Sequence, residues 1–268
     1  MTKKEIKEIL DKHEIRPDKR LGQSFLIDQN VLDKIVRSAD LKKDETVLEV
    51  GSGLGNLTKR LSSQVKKVIT IEKSKQIFPL LKENLKEFDN IEFIRGDILR
   101  EELDLPEEYK IVANIPYYLT SPLLRMFLES ENQPETMTLL IQKEVAQRIT
   151  AQPPQMSLLS ILIQFYSTPK IISYVSQTCF WPKPKVDSAI LHLSQIKKPK
   201  EIDIKRFFKL VKAGFSSPRK QLVNNLFSKL DLNKEEMKKA LAECDKPQTA
   251  RAETLSILDW THLLLFFK

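Results

Sequence analysis

Short apolar runs rich in Val and Ile recur along the first two thirds of the chain, at ETVLEV (45–50), KKVITI (66–71), IEFIR (91–95), KIVAN (110–114) and MTLLI (137–141). Each predicts a buried strand. Between them, residues 56–63, 73–88 and 122–128 carry apolar positions at helical spacing. Strands alternating with helices predict βαβ units, and hence a parallel sheet covered by helices on both faces. Residues 171–175 and 186–193, separated by a segment with Pro182 and Pro184, predict a closing pair of strands. After KKPK (197–200) only the helical period remains, over 203–214, 218–230, 234–243 and 254–267. The change of pattern places a domain boundary near residue 195, with an α/β domain over 1–194 and a small all-helical domain over 195–268. No internal repeat or low-complexity tract is visible.

A chain of 268 residues can bury a core in each of two such domains. No apolar run approaches the roughly 18 residues of a membrane span. The first twenty residues mix Lys3, Lys4, Lys7 and Arg16 with Glu5, Glu8, Asp11 and Glu14, unlike a signal or transit peptide, so a cytoplasmic protein is expected. Cys179 and Cys244 lie far apart, and His13, His192 and His262 are solitary. Neither a disulfide framework nor a thiolate zinc site is suggested, and no metal is expected. Charge is more informative. Between residues 195 and 230, ten Lys and Arg face only Glu201 and Asp203, so this segment holds the whole net charge of +8. Such a run is either a solvated helix face or a polyanion-binding surface. Lys205, Arg206, Lys209 and Lys212 fall at helical spacing beside Phe207, Phe208 and Val211. The apolar side is expected to pack on the first domain, leaving the charge outward and continued by Arg219 and Lys220.

Candidate chemistry sits at the strand ends. In EVGSGLGNL (49–57), Gly51, Gly53 and Gly55 follow a strand and open a helix, which permits a tight turn and close backbone approach to a ligand. Glu72 closes the next strand, where a carboxylate can take both hydroxyls of a ribose. In GDIL (96–99), after the third strand, Asp97 can accept from an adenine amino group beside the backbone of Ile98. Together these trace a nucleoside across three strand ends, a dinucleotide being one candidate.

The fourth strand favours another. VANIPYYLTSP (112–122) leaves a strand abruptly for Asn114, Pro116 and Tyr117. An exocyclic amine on a nucleobase is a poor nucleophile, because its lone pair is delocalised into the ring. The Asn114 side-chain oxygen and the Ile115 carbonyl can accept both amine hydrogens, Pro116 fixes the turn, and Tyr117 offers a face to the base. The strand ends this way because it ends in an active site.

KRLGQSFL (19–26), EVGSGLGNLT (49–58), IEKS (71–74), GDIL (96–99), NIPYYLTSPLL (114–124), IQKEVAQRI (141–149), FWPKPKVDSA (180–189) and CDKPQTARAETLS (244–256) resemble, in order, the blocks of bacterial small-subunit (16S) ribosomal RNA adenine N6,N6-dimethyltransferases. The resemblance spans nearly the whole chain. It implies a Rossmann-like, seven-stranded class I methyltransferase sheet with a C-terminal helical RNA-docking domain. It also implies transfer from S-adenosyl-L-methionine, giving S-adenosyl-L-homocysteine, to N6 of two adjacent adenosines in the 3′-terminal hairpin of small-subunit rRNA. The partner implied is the 30S particle, bound by a monomer without metal or membrane.

By resemblance the Gly51 and Gly53 loop meets the methionine end of the cofactor, Glu72 the ribose, and Asp97 and Ile98 the adenine. Ser24 and Leu26 close over it, Asn114 lies between cofactor and amine, and Phe180 stacks opposite Tyr117. Arg206, Lys209, Arg219 and Lys220 are the candidate RNA contacts. The chain departs from the family at Ser24, where Asn is usual, at Ile115, where Leu is frequent, at Pro218, where Arg is usual, and in 150–160, which lacks a Gly-rich loop. Three other readings stand beside this one: a large-subunit rRNA adenine methylase of the antibiotic-resistance type, a noncatalytic RNA-binding or assembly factor, and a small-molecule methyltransferase. The Arg251-Ala-Glu-Thr block speaks against the first, the intact Glu72, Asp97 and Asn114 set against the second, and the basic segment against the third.

Overall fold

A computed structural model describes residues 1–18 and 21–267. Lys19 and Arg20, which open the KRLGQSFL block, lie outside the described residues. The chain forms two compact units, Met1–Ala146 with Thr168–Ile196, and Gln147–Ser167 with Lys197–Lys268.

The first unit runs α1 (Lys3–Lys12), β1 (Phe25–Leu26), α2 (Gln29–Ser38), β2 (Thr46–Val50), α3 (Asn56–Ser62), β3 (Lys67–Glu72), α4 (Ile77–Asn84), β4 (Ile91–Arg95), β5 (Lys110–Asn114), α5 (Thr120–Glu129) and β6 (Thr136–Gln142). Helix α6 (Lys143–Ile149) carries the chain into the second unit, where α7 (Leu158–Tyr166) follows. The chain then returns for β7 (Thr168–Val175), β8 (Phe180–Trp181) and β9 (Ser188–Ser194). Seven strands pair in the order β4-β3-β2-β5-β6-β9-β7, and β1 pairs with β8 in a separate ribbon. Only β9 runs against its neighbours. The alternating pattern led to the parallel α/β core and the closing pair, and the count of seven strands is the one that the resemblance implied.

The inner strands are apolar on both faces because helices cover both faces. Leu32 and Ile35 of α2 and Leu57 and Leu61 of α3 pack over Val47, Val68, Val112 and Leu140. Burying one such side chain contributes about 1.5–3 kcal/mol. The last strand, β7, has an edge free of strands, and its exposed and half-buried positions alternate. Pro169 is tolerated there because a proline cannot serve an inner ladder. A smaller cluster of Ile6 and Leu10 from α1 with Phe25, Leu54, Ile77 and Leu80 brings the N-terminal segment against the loop after β2.

The second unit continues with α8 (Ile204–Gly214), α9 (Leu222–Leu230), α10 (Lys234–Glu243) and α11 (Ile257–Leu264). The apolar side of α8 meets α7, a helix that falls within the 1–194 span of the sequence reading but belongs to the second unit. Phe207 of α8 stacks on Phe165 of α7 with centroids 4.3 Å apart, and Phe208 stacks on Tyr166 at 6.0 Å. These aromatics explain why residues 147–167, placed in the first domain by sequence position, cluster with the C-terminal helices. Among the described residues no helix is long and apolar enough to cross a membrane.

Candidate active site

The order of strands sets out the site. β2 is flanked by β3 on one side and β5 on the other, so the connections leave in opposite directions and a crevice opens at the strand ends. The loop after β2 turns through Gly51 at φ 77° and Gly53 at φ 57°, values that L side chains rarely adopt. A Cβ on Gly51 would lie 3.3 Å from Pro116 Cδ, and one on Gly53 would lie 3.3 Å from the Phe25 ring. The glycines therefore allow the loop to be pressed between the segment after β5 and the N-terminal segment.

Glu72 ends β3 and is 8% exposed. Gly53 N–H donates to its Oε2 at 2.9 Å, and Ser74 N–H to its Oε1 at 2.8 Å. Burial pushes its carboxyl upward, against the pull of those amides. A carboxylate offers about four lone-pair sites, so acceptor capacity remains toward the cavity that Glu72 lines. Ser74 Oγ accepts from Ile77 N–H at 3.3 Å where α4 begins, so the helix starts at Ile77 and not at the expected residue 73.

Beyond β4, Asp97 is held below the usual carboxylate range by Lys73, whose Nζ lies 2.8 Å from Oδ2. Leu99 N–H donates to its Oδ1 at 3.2 Å. Ile98 beside it is buried.

Asn114 ends β5, opposite Leu140 of β6. After it, the Pro116 carbonyl accepts from Leu119 N–H at 2.9 Å and closes a short helical turn over Tyr117–Leu119. The Tyr117 hydroxyl lies 2.9 Å from Ser188 Oγ at the start of β9, and burial pushes its pKa up. Phe180 is buried in β8 opposite Leu26 of β1. Ser24 Oγ donates to the Pro182 carbonyl at 2.6 Å and ties the N-terminal segment to the residue that follows β8, the strand carrying Phe180.

One cavity in the first unit is lined by Ser24, Leu26, Gly51, Gly53, Glu72, Asp97 and Ile98, and also by Asn114, Pro116, Tyr117 and Phe180. Every catalytic and cofactor candidate read from the sequence is thus brought to one place. Arg206, Lys209, Arg219 and Lys220 are not among its lining residues. They are exposed in the second unit, where Arg206 and Lys209 stand over the Phe267 ring at 5.7 and 5.5 Å.

Two cavity residues escaped the sequence reading. Lys73 fixes Asp97, as described. Glu49, 2% exposed at the base of the glycine loop, accepts from Thr70 Oγ1 at 3.2 Å, and Thr70 in turn shares a short hydrogen bond with Ser52 Oγ. Burial raises the Glu49 pKa to about 7. The glycine cradle, the Glu72 carboxyl with acceptor capacity toward the cavity, and the Asp97 carboxylate beside buried Ile98 fit a nucleoside cofactor such as S-adenosyl-L-methionine.

The family model described as ribosomal RNA adenine dimethylase matches residues 3–265. A ribosomal RNA small subunit methyltransferase A of Clostridium botulinum (strain Kyoto / Type A2) is 40% identical over 266 residues, covering 96% of each chain. One of Dehalococcoides mccartyi is 41% identical, covering 97% of this chain and 92% of its own. Among solved structures, the 23S rRNA methyltransferase ErmE is 28% identical with a TM-score of 0.77, covering 90% of this chain and 98% of its own. A dimethyladenosine transferase from Plasmodium falciparum is also 28% identical with a TM-score of 0.77, covering 91% of this chain and 97% of its own.

Proposed function

Because the chain belongs to the ribosomal RNA adenine dimethylase family, we propose that it dimethylates N6 of two adjacent adenosines in the 3′-terminal hairpin of small-subunit rRNA. It would act as a cytoplasmic monomer on the 30S particle, during ribosome biogenesis and without a metal ion. The observation that carries the reading is the single cavity in which nucleoside-binding carboxylates and the Asn114-Ile115-Pro116-Tyr117 segment meet.

S-Adenosyl-L-methionine, when bound, supplies an electrophilic methyl group and leaves as S-adenosyl-L-homocysteine. Glu72 holds the ribose hydroxyls, Asp97 and the Ile98 backbone the adenine, and the Gly51–Gly53 loop the methionine end, with Ser24 and Leu26 closing the N-terminal side. Asn114 Oδ1 and the Ile115 carbonyl accept the two hydrogens of the target amine. Accepting both draws the lone pair out of conjugation and turns it toward the cavity. Pro116 fixes that geometry, and Gly22 keeps the N-terminal segment close, since a Cβ there would lie 3.1 Å from Pro116 Cβ. Tyr117 and Phe180 sandwich the base and exclude water from it. Each transfer would break the sulfur–methyl bond, form the N6–methyl bond and release one amine proton to solvent, so that after the first a single N–H remains, which either acceptor can hold for the second.

A large-subunit target is the second reading, because ErmE and the dimethyladenosine transferase are equally similar in structure. The relatives at 40–41% identity, named for the small subunit, favour the first. Incubation with labelled methyl donor and either subunit, both lacking these methyl groups, separates the two. Label in the small subunit alone is expected; label in the large subunit alone overturns the assignment.

A further inference from the structure

The crevice edge continues past Asn114. β9 runs antiparallel to β6 and so starts where β6 stops, with Ser188 opposite Gln142. β7 runs antiparallel to β9 and ends at the same edge, with Val175 opposite Ser188 and Tyr174 opposite Ala189. The edge therefore carries, in order, the nucleoside carboxylates at β4 and β3, the glycine loop at β2, Asn114 at β5, Gln142 and Lys143 at β6, Ser188 under the Tyr117 hydroxyl, and Tyr174 at the far end.

Tyr174 is 54% exposed, although Val175 and Ala189 beside it are buried. Lys143 Nζ stands over its ring, 5.2 Å from the centroid. The backbone of Lys143 is anchored at this edge, because its N–H donates to the Asp187 carbonyl at 3.0 Å, next to Ser188. Lys183 and Lys185, in the segment that leads into β9, are exposed as well. An exposed aromatic ring beneath one cation, at a sheet edge whose leading segment carries two more, is what single-stranded RNA uses, with bases stacking on the open ring face and cations meeting the phosphates.

We propose that Tyr174, held by Lys143, is a stacking platform for a nucleotide flanking the target adenosine, so that the RNA strand leaves the cavity along the ends of β6, β9 and β7. The inference rests on the rRNA reading above and adds the path of the strand. Stacking tolerates any base, so the platform sets the register of the strand and not its sequence.

The test measures binding of a fluorescent single-stranded oligoribonucleotide with adjacent adenosines to the full chain, alongside methyl transfer to small subunits. Tyr174→Ala and Tyr174→Leu should each bind the RNA roughly tenfold more weakly, while Tyr174→Phe stays within about twofold of wild type and cofactor affinity holds in all three. The Leu variant keeps apolar bulk without a π face. Binding restored by Leu, unchanged in Ala, or lost together with cofactor affinity overturns the platform. If wild type transfers no methyl to small subunits while the RNA-binding series follows expectation, the substrate assignment falls and the platform stands.

Discussion

Asn114 and Glu72 end the two strands that flank β2, but their surroundings differ. Glu72 is clamped by two backbone amides, whereas Asn114 is half-buried at the mouth of the turn through Pro116. Asn114→Ala is expected to leave cofactor affinity within a few-fold by calorimetry and to lower methyl transfer by about a hundredfold, the cost of losing near-attack geometry. Glu72→Ala should do the reverse, weakening the cofactor by roughly 10- to 100-fold, as for loss of hydrogen bonds to a charged group. Parallel loss of both properties in the Asn114 variant would contradict the division. Glu49 permits a test by pH. Its folded pKa of about 7 lies above the ordinary 4.5, so the native state holds the proton more tightly than the unfolded chain does. Stability from this group is full below about pH 4.5 and is lost as pH rises through 7. Glu49→Gln should therefore gain on wild type by on the order of 3 kcal/mol between pH 4.5 and pH 8 in denaturant titrations, and a flat difference would contradict the assignment. Glycines and an Asn-x-Pro interrupt an apolar pattern and so are legible in a sequence. Glu49 is not, because the Thr70 that receives its carboxylate belongs to another strand and only the sheet register reveals it.

Among elements, the inner strands were legible because a parallel strand buried on both faces is a nearly unbroken apolar run. The β1–β8 ribbon was not, since two-residue strands carry no period, although it seats both Leu26 and Phe180. Helix α7 was missed for a related reason. LLSILIQFY is apolar on nearly all sides, so it shows no stripe, and its partners Phe207 and Phe208 lie far along the chain. Helix α9 starts at Leu222 and not at residue 218, because Asn225 Nδ2 donates to the Gly214 and Ser217 carbonyls and holds the intervening turn open. On α8 and the turn after it, Lys205, Arg206, Lys209, Lys212, Arg219 and Lys220 are all exposed. Replacing Arg206, Lys209, Arg219 and Lys220 with Gln should weaken small-subunit binding and flatten its salt dependence, by about 0.7–0.9 in log–log slope for each phosphate that the variant no longer neutralises. Cofactor affinity should hold, because the cavity is lined by the first unit alone. An unchanged slope would return the segment to an ordinary solvated face.

At the scale of the whole molecule, chemistry and net charge are divided between the two units. The first contains the entire cavity, while the second carries the 197–230 segment in which the chain's excess of +8 is concentrated. A small-molecule methyltransferase has no use for such a segment, and an assembly factor without catalysis has no use for a glycine cradle that shares its cavity with the Asn114–Tyr117 turn. Both halves are required by an enzyme whose substrate is a structured RNA. The most direct test is nucleoside analysis of small-subunit rRNA, taken from particles that lack these methyl groups and treated with the protein and S-adenosyl-L-methionine. Two adjacent N6,N6-dimethyladenosines in the 3′-terminal hairpin are expected, absent when Asn114→Ala replaces the wild-type chain. Methyl groups on another base, on the large subunit, or not at all would contradict the assignment.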